Sequence, residues 1–194
     1  MSVAGRVCIG FSKPYIAKYV NTSGVISYTG GMVLARGVNV SVTPDAPGSD
    51  NIFRADNAAA EKVSGKFTGG SFTLTVDGLL ATAEKVLSGL PAVDDGWYHY
   101  DDDQTDDYFG VGFIAKYMSD GVISYVPYIL RKTSFDPIQT SAETEGEDIN
   151  WQTQSLSGKI LKDDSAKHGW KDVGIEYDTE AEAAEAIEEV FDIS

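Results

Sequence analysis

A motif repeated in the two halves of the chain constrains its fold more than any other feature. Ile16-Ala17-Lys18-Tyr19 recurs as Ile114-Ala115-Lys116-Tyr117, and Gly24-Val25-Ile26-Ser27-Tyr28 recurs as Gly121-Val122-Ile123-Ser124-Tyr125. The first block recurs after 98 residues and the second after 97, so order and spacing are kept together. Nine identities in two ordered blocks indicate a duplicated structural unit.

Each copy of the repeat has the sequence pattern of a β-hairpin. Tyr15–Val20 and Val25–Thr29 are rich in strand-forming residues and flank a short polar turn, and Asp120-Gly121 supplies a favoured turn pair in the second copy. Apolar residues that alternate with polar ones predict further strands with one buried face. These alternating residues are Val38, Val40 and Val42 in one strand and Phe72, Leu74 and Val76 in another. The sequence therefore predicts a mainly-β fold, a duplicated-hairpin β-sandwich.

One helix is predicted between the two halves, at about residues 78–89. Asp77 is suited to cap it, and Gly89 and Pro91 end it. Its apolar residues recur at helical spacing and are expected to cover the sheet. They are Leu79, Leu80, Ala83, Val86, Leu87 and Leu90.

A second helix is predicted at the C-terminus, where Thr179 and Glu182 have the spacing of a capping box. Its apolar residues form a narrow seam among glutamates. They are Ala183, Ala184, Ile187, Val190 and Phe191. Such a helix docks on the body, docks on a neighbouring subunit, or stays mobile.

We predict one β-sandwich domain at residues 1–165, with the repeat at about 15–76 and 113–162, followed by an acidic C-terminal extension at 166–194. Val63–Phe67 resembles Leu156–Ile160, and this weaker match falls where the duplicated unit predicts it. Neither a secretory signal nor an apolar run long enough to span a membrane is apparent.

The negative charge is concentrated in two segments. The formal net charge is −15, and all of it is accounted for by seven acids in Asp94–Asp107 and eight in Glu176–Asp192, segments that contain no lysine or arginine. In the rest of the chain the positive and negative charges balance, so the sequence shows no basic patch for holding nucleic acid.

Because Cys8 is the single cysteine, an internal disulfide is excluded and folding inside a cell is favoured. We expect Cys8 to be a small buried residue.

No catalytic, metal or cofactor site is predicted. An EF-hand loop starting at Asp101 would need glycine at its sixth position and glutamate at its twelfth, where Asp106 and Gly112 stand. His99 and His168 are the only histidines, too few for a zinc site without cysteine partners. The aromatic run Trp97–Tyr100 is expected to be an edge strand covering the core, with stacking on sugar rings as the alternative.

Several ordered motifs resemble the major tail tube proteins of siphophages and prophages of Gram-positive bacteria. The likeness runs from about Gly10 to Leu161 and includes a helix between two β halves. Its carriers are Ile9-Gly10-Phe11, Asn39–Pro44, Phe53–Asn57, Gly69–Leu79, Phe113, Phe135-Asp136-Pro137, Thr144, Ile149, Trp151-Gln152-Thr153 and Leu156-Ser157-Gly158.

This resemblance implies a structural virion protein whose hexameric rings stack into a tube that conducts DNA. It implies as partners other copies of the chain, a tape-measure protein, and tail-tip and terminator proteins. The implied location is the virion tail, after folding in the host cytoplasm. The remaining alternatives are a carbohydrate-binding β-sandwich module, a tail-associated hydrolase, and the tube of a related contractile or secretion system.

A DNA conduit should repel phosphates, because each basic contact would retard the genome. We therefore expect strands at about Val33–Asp56 and Tyr128–Ser157 to line the bore, with an acidic cluster facing it. The candidate lumen-facing acids are Glu143, Glu145, Glu147 and Asp148, and the alternative is that this acidic cluster is a solvated turn. The polar stretch Thr43–Asn51 is predicted to be an inter-ring loop that becomes ordered against a partner. Its candidate contact residues are Thr43, Pro44, Asp45 and Asp50.

Overall fold

Two long antiparallel hairpins form the centre of the fold. The structure is a computed structural model that describes residues 5–45, 51–55, 58–63, 67–91, 95–144 and 151–193. In chain order its elements are β1 (Val7–Thr22), β2 (Val25–Val33), β3 (Gly37–Pro44), β4 (Asn51–Ala55), β5 (Ala58–Val63), β6 (Gly70–Val76), α1 (Ala81–Leu87), β7 (Phe109–Ser119), β8 (Val122–Phe135), β9 (Gln154–Leu161), β10 (Lys171–Val173) and α2 (Glu180–Val190).

The repeated motifs form the two hairpins, β1–β2 and β7–β8, as predicted. Each has a two-residue turn in which both central residues have positive φ: 53° and 85° at Ser23-Gly24, and 49° and 81° at Asp120-Gly121. This conformation matches the twist of the flanking strands. In the first turn the Asn21 side chain also accepts a hydrogen bond from the Gly24 N–H at 2.8 Å.

The two copies of the repeated motif place equivalent residues on different faces of the sheet. Ile16 packs in one hydrophobic core, whereas its counterpart Ile114 packs in another. Because successive side chains of a strand point to opposite faces, the two motifs run through their strands in opposite phase.

One antiparallel sheet contains most of the strands, in the order β2-β1-β7-β8-β9-β6-β3, with β10 also paired to β8. The strands β4 and β5 pair with each other. The sheet curls so that its two ends meet: a side chain at Gly37 in β3 would overlap the ring of Phe11 in β1. The prediction of a mainly-β fold is confirmed. The two layers expected of a sandwich are two parts of this one continuous, curled sheet.

The first core lies inside the curl and is built from the alternating apolar residues of the sequence. Phe72, Leu74 and Val76 are each at most 2% exposed. Opposite them pack Phe109, Val111 and other residues of the hairpins, together with Ala83 and Leu87 of α1. Burying a large apolar side chain contributes about 1.5–3 kcal/mol, so this core is the main source of stability.

Helix α1 is shorter than predicted and is not capped by Asp77. It begins after Leu80, which makes no side-chain cap and is 72% exposed. The Asp77 carboxylate instead accepts hydrogen bonds from the backbone and side chain of Arg36, at 3.1 and 2.6 Å. Arg36 precedes β3 and Asp77 follows β6, the strand paired with β3. This contact between neighbouring strand ends uses the carboxylate that the sequence pattern assigned to the helix.

Helix α2 confirms its predicted capping box, in which Thr179 Oγ1 accepts from the Glu182 N–H and the Glu182 carboxylate accepts from the Thr179 N–H. It docks on the body through a second core on the opposite face of the hairpins. That core comprises Tyr15, Ala17, Ile114, Ile129, Ala183, Ala184, Ile187 and Phe191. Val190, included in the predicted seam, is 47% exposed.

Candidate functional site

The four strands of the two hairpins, β2-β1-β7-β8, form a unit that we call the hairpin sheet. Strand β2 lies at one edge of it. Within the described part of the chain, β2 is paired to β1 on one side and to no strand on the other. An open edge presents unpaired N–H and C=O groups and is a template for another strand.

The opposite edge of the hairpin sheet, along the middle of β8, is covered by residues 171–177, which we call the edge strap. Its first three residues are β10, paired with Tyr128–Leu130. The Gly174 N–H then donates to the Pro127 carbonyl at 2.9 Å. Tyr125 and Tyr177 exchange two backbone hydrogen bonds at 2.9 Å. The two edges of the hairpin sheet therefore differ, one being open and the other capped from within the chain.

A charged cluster holds both the edge strap, through Asp172, and the chain just before it, through Asp163. The guanidinium of Arg131 in β8 pairs with Asp163 and Asp172, both at 2.7 Å. The Asp163 side chain is fully buried. Burial acts to raise the pKa of Asp163, but hydrogen bonds from Ser165 and Arg131 outweigh it and hold that pKa below its usual range. The pKa of Arg131 is raised by the same two carboxylates.

A second anchor lies beside the first. The Asp164 carboxylate accepts hydrogen bonds from Lys132 at 2.8 Å and from the Tyr19 hydroxyl at 2.9 Å, and these lower its pKa. Burial raises the pKa of Tyr19 to about 12. The segment leading to the edge strap is therefore fixed to both hairpins.

Helix α2 presents a row of carboxylates on the side away from the sheet. Glu182, Glu185 and Glu189 are exposed and recur at helical spacing, and Asp192, just after the helix, is exposed as well. On its inner side, Glu188 accepts a hydrogen bond from the Tyr15 hydroxyl at 2.7 Å. Burial and that carboxylate both raise the pKa of Tyr15. The face of the hairpin sheet away from the first core is thus covered by a helix with an acidic outer side.

Exposed apolar residues cluster where β1, β7 and β8 reach the end of the hairpin sheet. Val7 is paired with Met118, and Met118 with Ile123, so the three lie in one cross-strand row. They are 64%, 37% and 38% exposed. Next to them, Cys8 is exposed rather than buried as predicted, because this end of the strand extends beyond both cores.

The candidate lumen-facing acids are placed only in part. Glu143 is exposed and lies between β8 and β9, outside the strands. Glu145, Glu147 and Asp148 lie outside the described residues. Their orientation towards a bore stays a prediction.

The candidate inter-ring loop begins later than predicted. Thr43 and Pro44 close strand β3, where they pair with Ser71 and Gly70. The Asp45 N–H continues the ladder by donating to the Gly69 carbonyl at 2.9 Å. Pairing with β6 therefore orders the first residues of the polar stretch, and Asp50 lies outside the described residues.

The aromatic run at residues 97–100 is not an edge strand. Asp95 and Gly96 turn the chain before it with φ of 47° and 84°, and it lies outside the named strands. Trp97 and Tyr100 are 72% and 57% exposed. Tyr100 borders a groove of about 440 Å³ that also contains Asp106, Asp107 and Asp136.

The described grooves contain no recognisable catalytic set. One groove, of about 740 Å³, is lined mainly by apolar residues, with Lys13, Arg36, Asp77 and Glu180 at its polar side. Neither histidine nor cysteine is among the described lining residues of the three grooves. In the described ranges, no three residues of the His, Cys, Asp and Glu types converge as metal ligands would.

The edge strap, Arg131 and Asp163 were missed by sequence reasoning. A three-residue strand has no periodicity, and nothing in the sequence relates an arginine to an aspartate 32 residues away.

No protein-family model and no curated protein sequence matches the chain. Of the described helices, neither is long and apolar enough to cross a membrane.

Proposed function

We propose that the chain is a structural subunit that forms hexameric rings, and that the rings stack into a phage tail tube through which DNA passes. The observation that carries this proposal is the hairpin sheet, whose β2 edge pairs with no strand in the described part of the chain. Pairing between this edge of one copy and a different edge of the next is a heterologous contact, which generates a ring when its rotation closes. The number six and the phage context come from the family resemblance.

The dimensions of the hairpin sheet suit this task. Four strands from each of six copies make a barrel of about 24 strands. With strands about 4.8 Å apart and tilted by about 45°, the barrel is roughly 50 Å across. A layer of helix about 10–12 Å thick on each side leaves room for a DNA duplex of about 20 Å.

The charge distribution supports passage of DNA rather than binding. In such a ring we place α2 on the bore side of the barrel wall and the first core on the outer side, so that the acidic row of α2, rather than the strands at about Val33–Asp56, faces the DNA. Carboxylates repel phosphates and add no friction. The proposed partners are other copies of the chain, a tape-measure protein, and tail-tip and terminator proteins, with the virion tail as the location.

A second candidate function is carbohydrate binding, favoured by the exposed Trp97 and by the groove beside Tyr100. Exposed aromatic rings stack on sugars, and the carboxylates of Asp106 and Asp136 in that groove are suited to accept hydrogen bonds from hydroxyl groups. Under this alternative the chain remains a monomer and binds cell-wall glycans, and replacing Tyr100 with alanine abolishes the binding.

Electron microscopy of the concentrated protein, with light scattering of a dilute sample, separates the two functions. The proposal predicts rings or tubes with a bore wide enough for a duplex, formed slowly unless seeded by tail-tip complexes. A chain that binds glycans and stays monomeric at every concentration, with seeds present, overturns the tube.

A further inference from the structure

We propose that the edge strap occupies the strand edge on which the next copy of the chain docks, so that ring assembly displaces it. The inference rests on the proposed function and adds to it the identity of the receiving edge and the means by which premature assembly is prevented. The receiving edge is Tyr125–Leu130 of β8, and the incoming strand is β2 of a second copy.

Strand direction selects β8 rather than β3 as the receiving edge. Each step from β2 through β1 and β7 to β8 is antiparallel, so β2 and β8 run in opposite directions. A second copy's β2 therefore continues the antiparallel pattern on β8. Continuing along the sheet, β3 runs in the same direction as β2, and pairing those two strands would introduce a parallel contact.

The positions of the strands in the curled sheet also favour β8 over β3 as the receiving edge. The edges β2 and β8 belong to one layer, the hairpin sheet. Strand β3 belongs to the other layer and lies against β1 of its own chain, where Gly37 meets Phe11. Joining β2 to β3 would connect the hairpin sheet of one copy to the β3 layer of the next. Joining β2 to β8 connects hairpin sheet to hairpin sheet and closes one barrel.

The edge strap occupies the place of the incoming strand. Its β10 part pairs antiparallel with β8, so it runs in the same direction as a neighbour's β2. It forms backbone hydrogen bonds with Tyr125 and Pro127 and pairs with Tyr128–Leu130. The capped edge is thereby protected from other strands in the monomer, as exposed edges in natural sheets generally are.

The edge strap is built to be replaced without unfolding the chain. Its regular strand has three residues, whereas β2 has nine. Val173 and Ile175 are 48% and 71% exposed, so the apolar contact that holds it is mainly that of Tyr177 with the second core. Its other side-chain contacts include the ion pairs of Asp172 with Arg131 and of Glu176 with Arg6, both at partly exposed sites. The chain on either side is anchored independently, by Asp163 on Arg131 before it and by α2 after it. Exchanging a short strand for a longer one favours the assembled state.

Two variants in a C8S background test the exchange, with assembly followed by light scattering. The double variant Y128C/V173C places cysteines at a cross-strand pair, so that a disulfide ties the edge strap to β8. The variant D172P removes a strand N–H and loosens it, and D172N is the matched control that loses only the carboxylate paired with Arg131. Circular dichroism of each monomer checks that the fold is kept.

We expect the oxidised double variant not to assemble, with assembly restored by reductant, while the single variant V173C is unaffected by oxidation. We expect D172P to lower the critical concentration severalfold relative to D172N. Hydrogen exchange of wild-type rings should show residues 171–177 losing protection and residues 25–31 gaining it, compared with the monomer.

Each result decides a separate question. Rings that form equally fast with the disulfide closed, or that keep residues 171–177 protected, overturn the exchange and leave the tube standing. If neither wild-type protein nor the reduced double variant forms rings at any concentration with seeds, the tube is overturned and the exchange falls with it.

Discussion

Replacing Gly112 with alanine tests whether α2 sits in a site shaped for it on the hairpin sheet. A Cβ at this position would lie 2.7 Å from Cγ2 of Ile187 and 3.0 Å from Cε2 of Phe191. Both side chains are fully buried, so neither can move aside freely. Overpacking of this kind costs about 1–3 kcal/mol, offset by about 0.5–1 kcal/mol because alanine is favoured over glycine in a strand. We expect a net loss of about 1–2 kcal/mol in the free energy of unfolding.

The matched control is G78A, because a Cβ at Gly78 meets nothing within 4 Å. We expect that control to change stability by less than about 0.5 kcal/mol. The variant I187A alone should cost about 2–5 kcal/mol. In G112A/I187A the overlapping methyl group is gone, so the combined loss should be smaller than the sum of the single losses by about 1 kcal/mol.

Urea unfolding followed by circular dichroism measures all four variants. If G112A is as harmless as G78A and its effect adds to that of I187A, the reasoning is refuted, since α2 would not be seated on β7 in solution. The assignment of an acidic helix to one side of the barrel wall would then lose its basis.

Three further outcomes follow from single side chains. D163N should lower the free energy of unfolding by about 1–3 kcal/mol at pH 7. This loss should fade as the pH falls below about 4, because the native pKa of Asp163 lies below its unfolded value of about 3.9. A loss that stays the same at low pH would contradict this. T179A should cost about 1 kcal/mol in urea unfolding through loss of the cap, and no loss would show that the cap is not formed. Cys8 should react with a thiol reagent in the native protein about as fast as in urea, whereas strong protection would place it inside an interface.

The hairpins were predictable because their signals are local. Two turn residues with positive φ suffice to specify each hairpin, and Ser23-Gly24 and Asp120-Gly121 supply them. The buried alternation of Phe72, Leu74 and Val76 likewise depends only on the period of a strand.

Features that depend on distant partners were not predictable. Asp77 has the position of a helix cap, but Arg36, 41 residues away, takes its carboxylate. Cys8 has apolar neighbours in sequence, yet its end of β1 projects beyond both cores. The aromatic run at 97–100 has strand propensity, which the turn at Asp95 and Gly96 overrides.

The candidate site was predictable only in outline. Unpaired strand edges follow from a duplicated hairpin, but the sequence does not show which edge the chain covers itself. That depends on Arg131 bringing Asp163 and Asp172 to β8, a contact between segments that share no pattern. The acids of α2 are evident in the sequence, but only the structure, in which the helix is docked, shows that they share one exposed side.

Electron microscopy of the purified chain, concentrated and supplied with tail-tip seeds, tests the central claim most directly. The account predicts closed rings of six copies that stack into tubes, with a continuous barrel of about 24 strands around a bore wide enough for a DNA duplex. Particles that remain monomeric under all of these conditions, or rings in whose walls β2 of one copy pairs with no strand of the next, would contradict it.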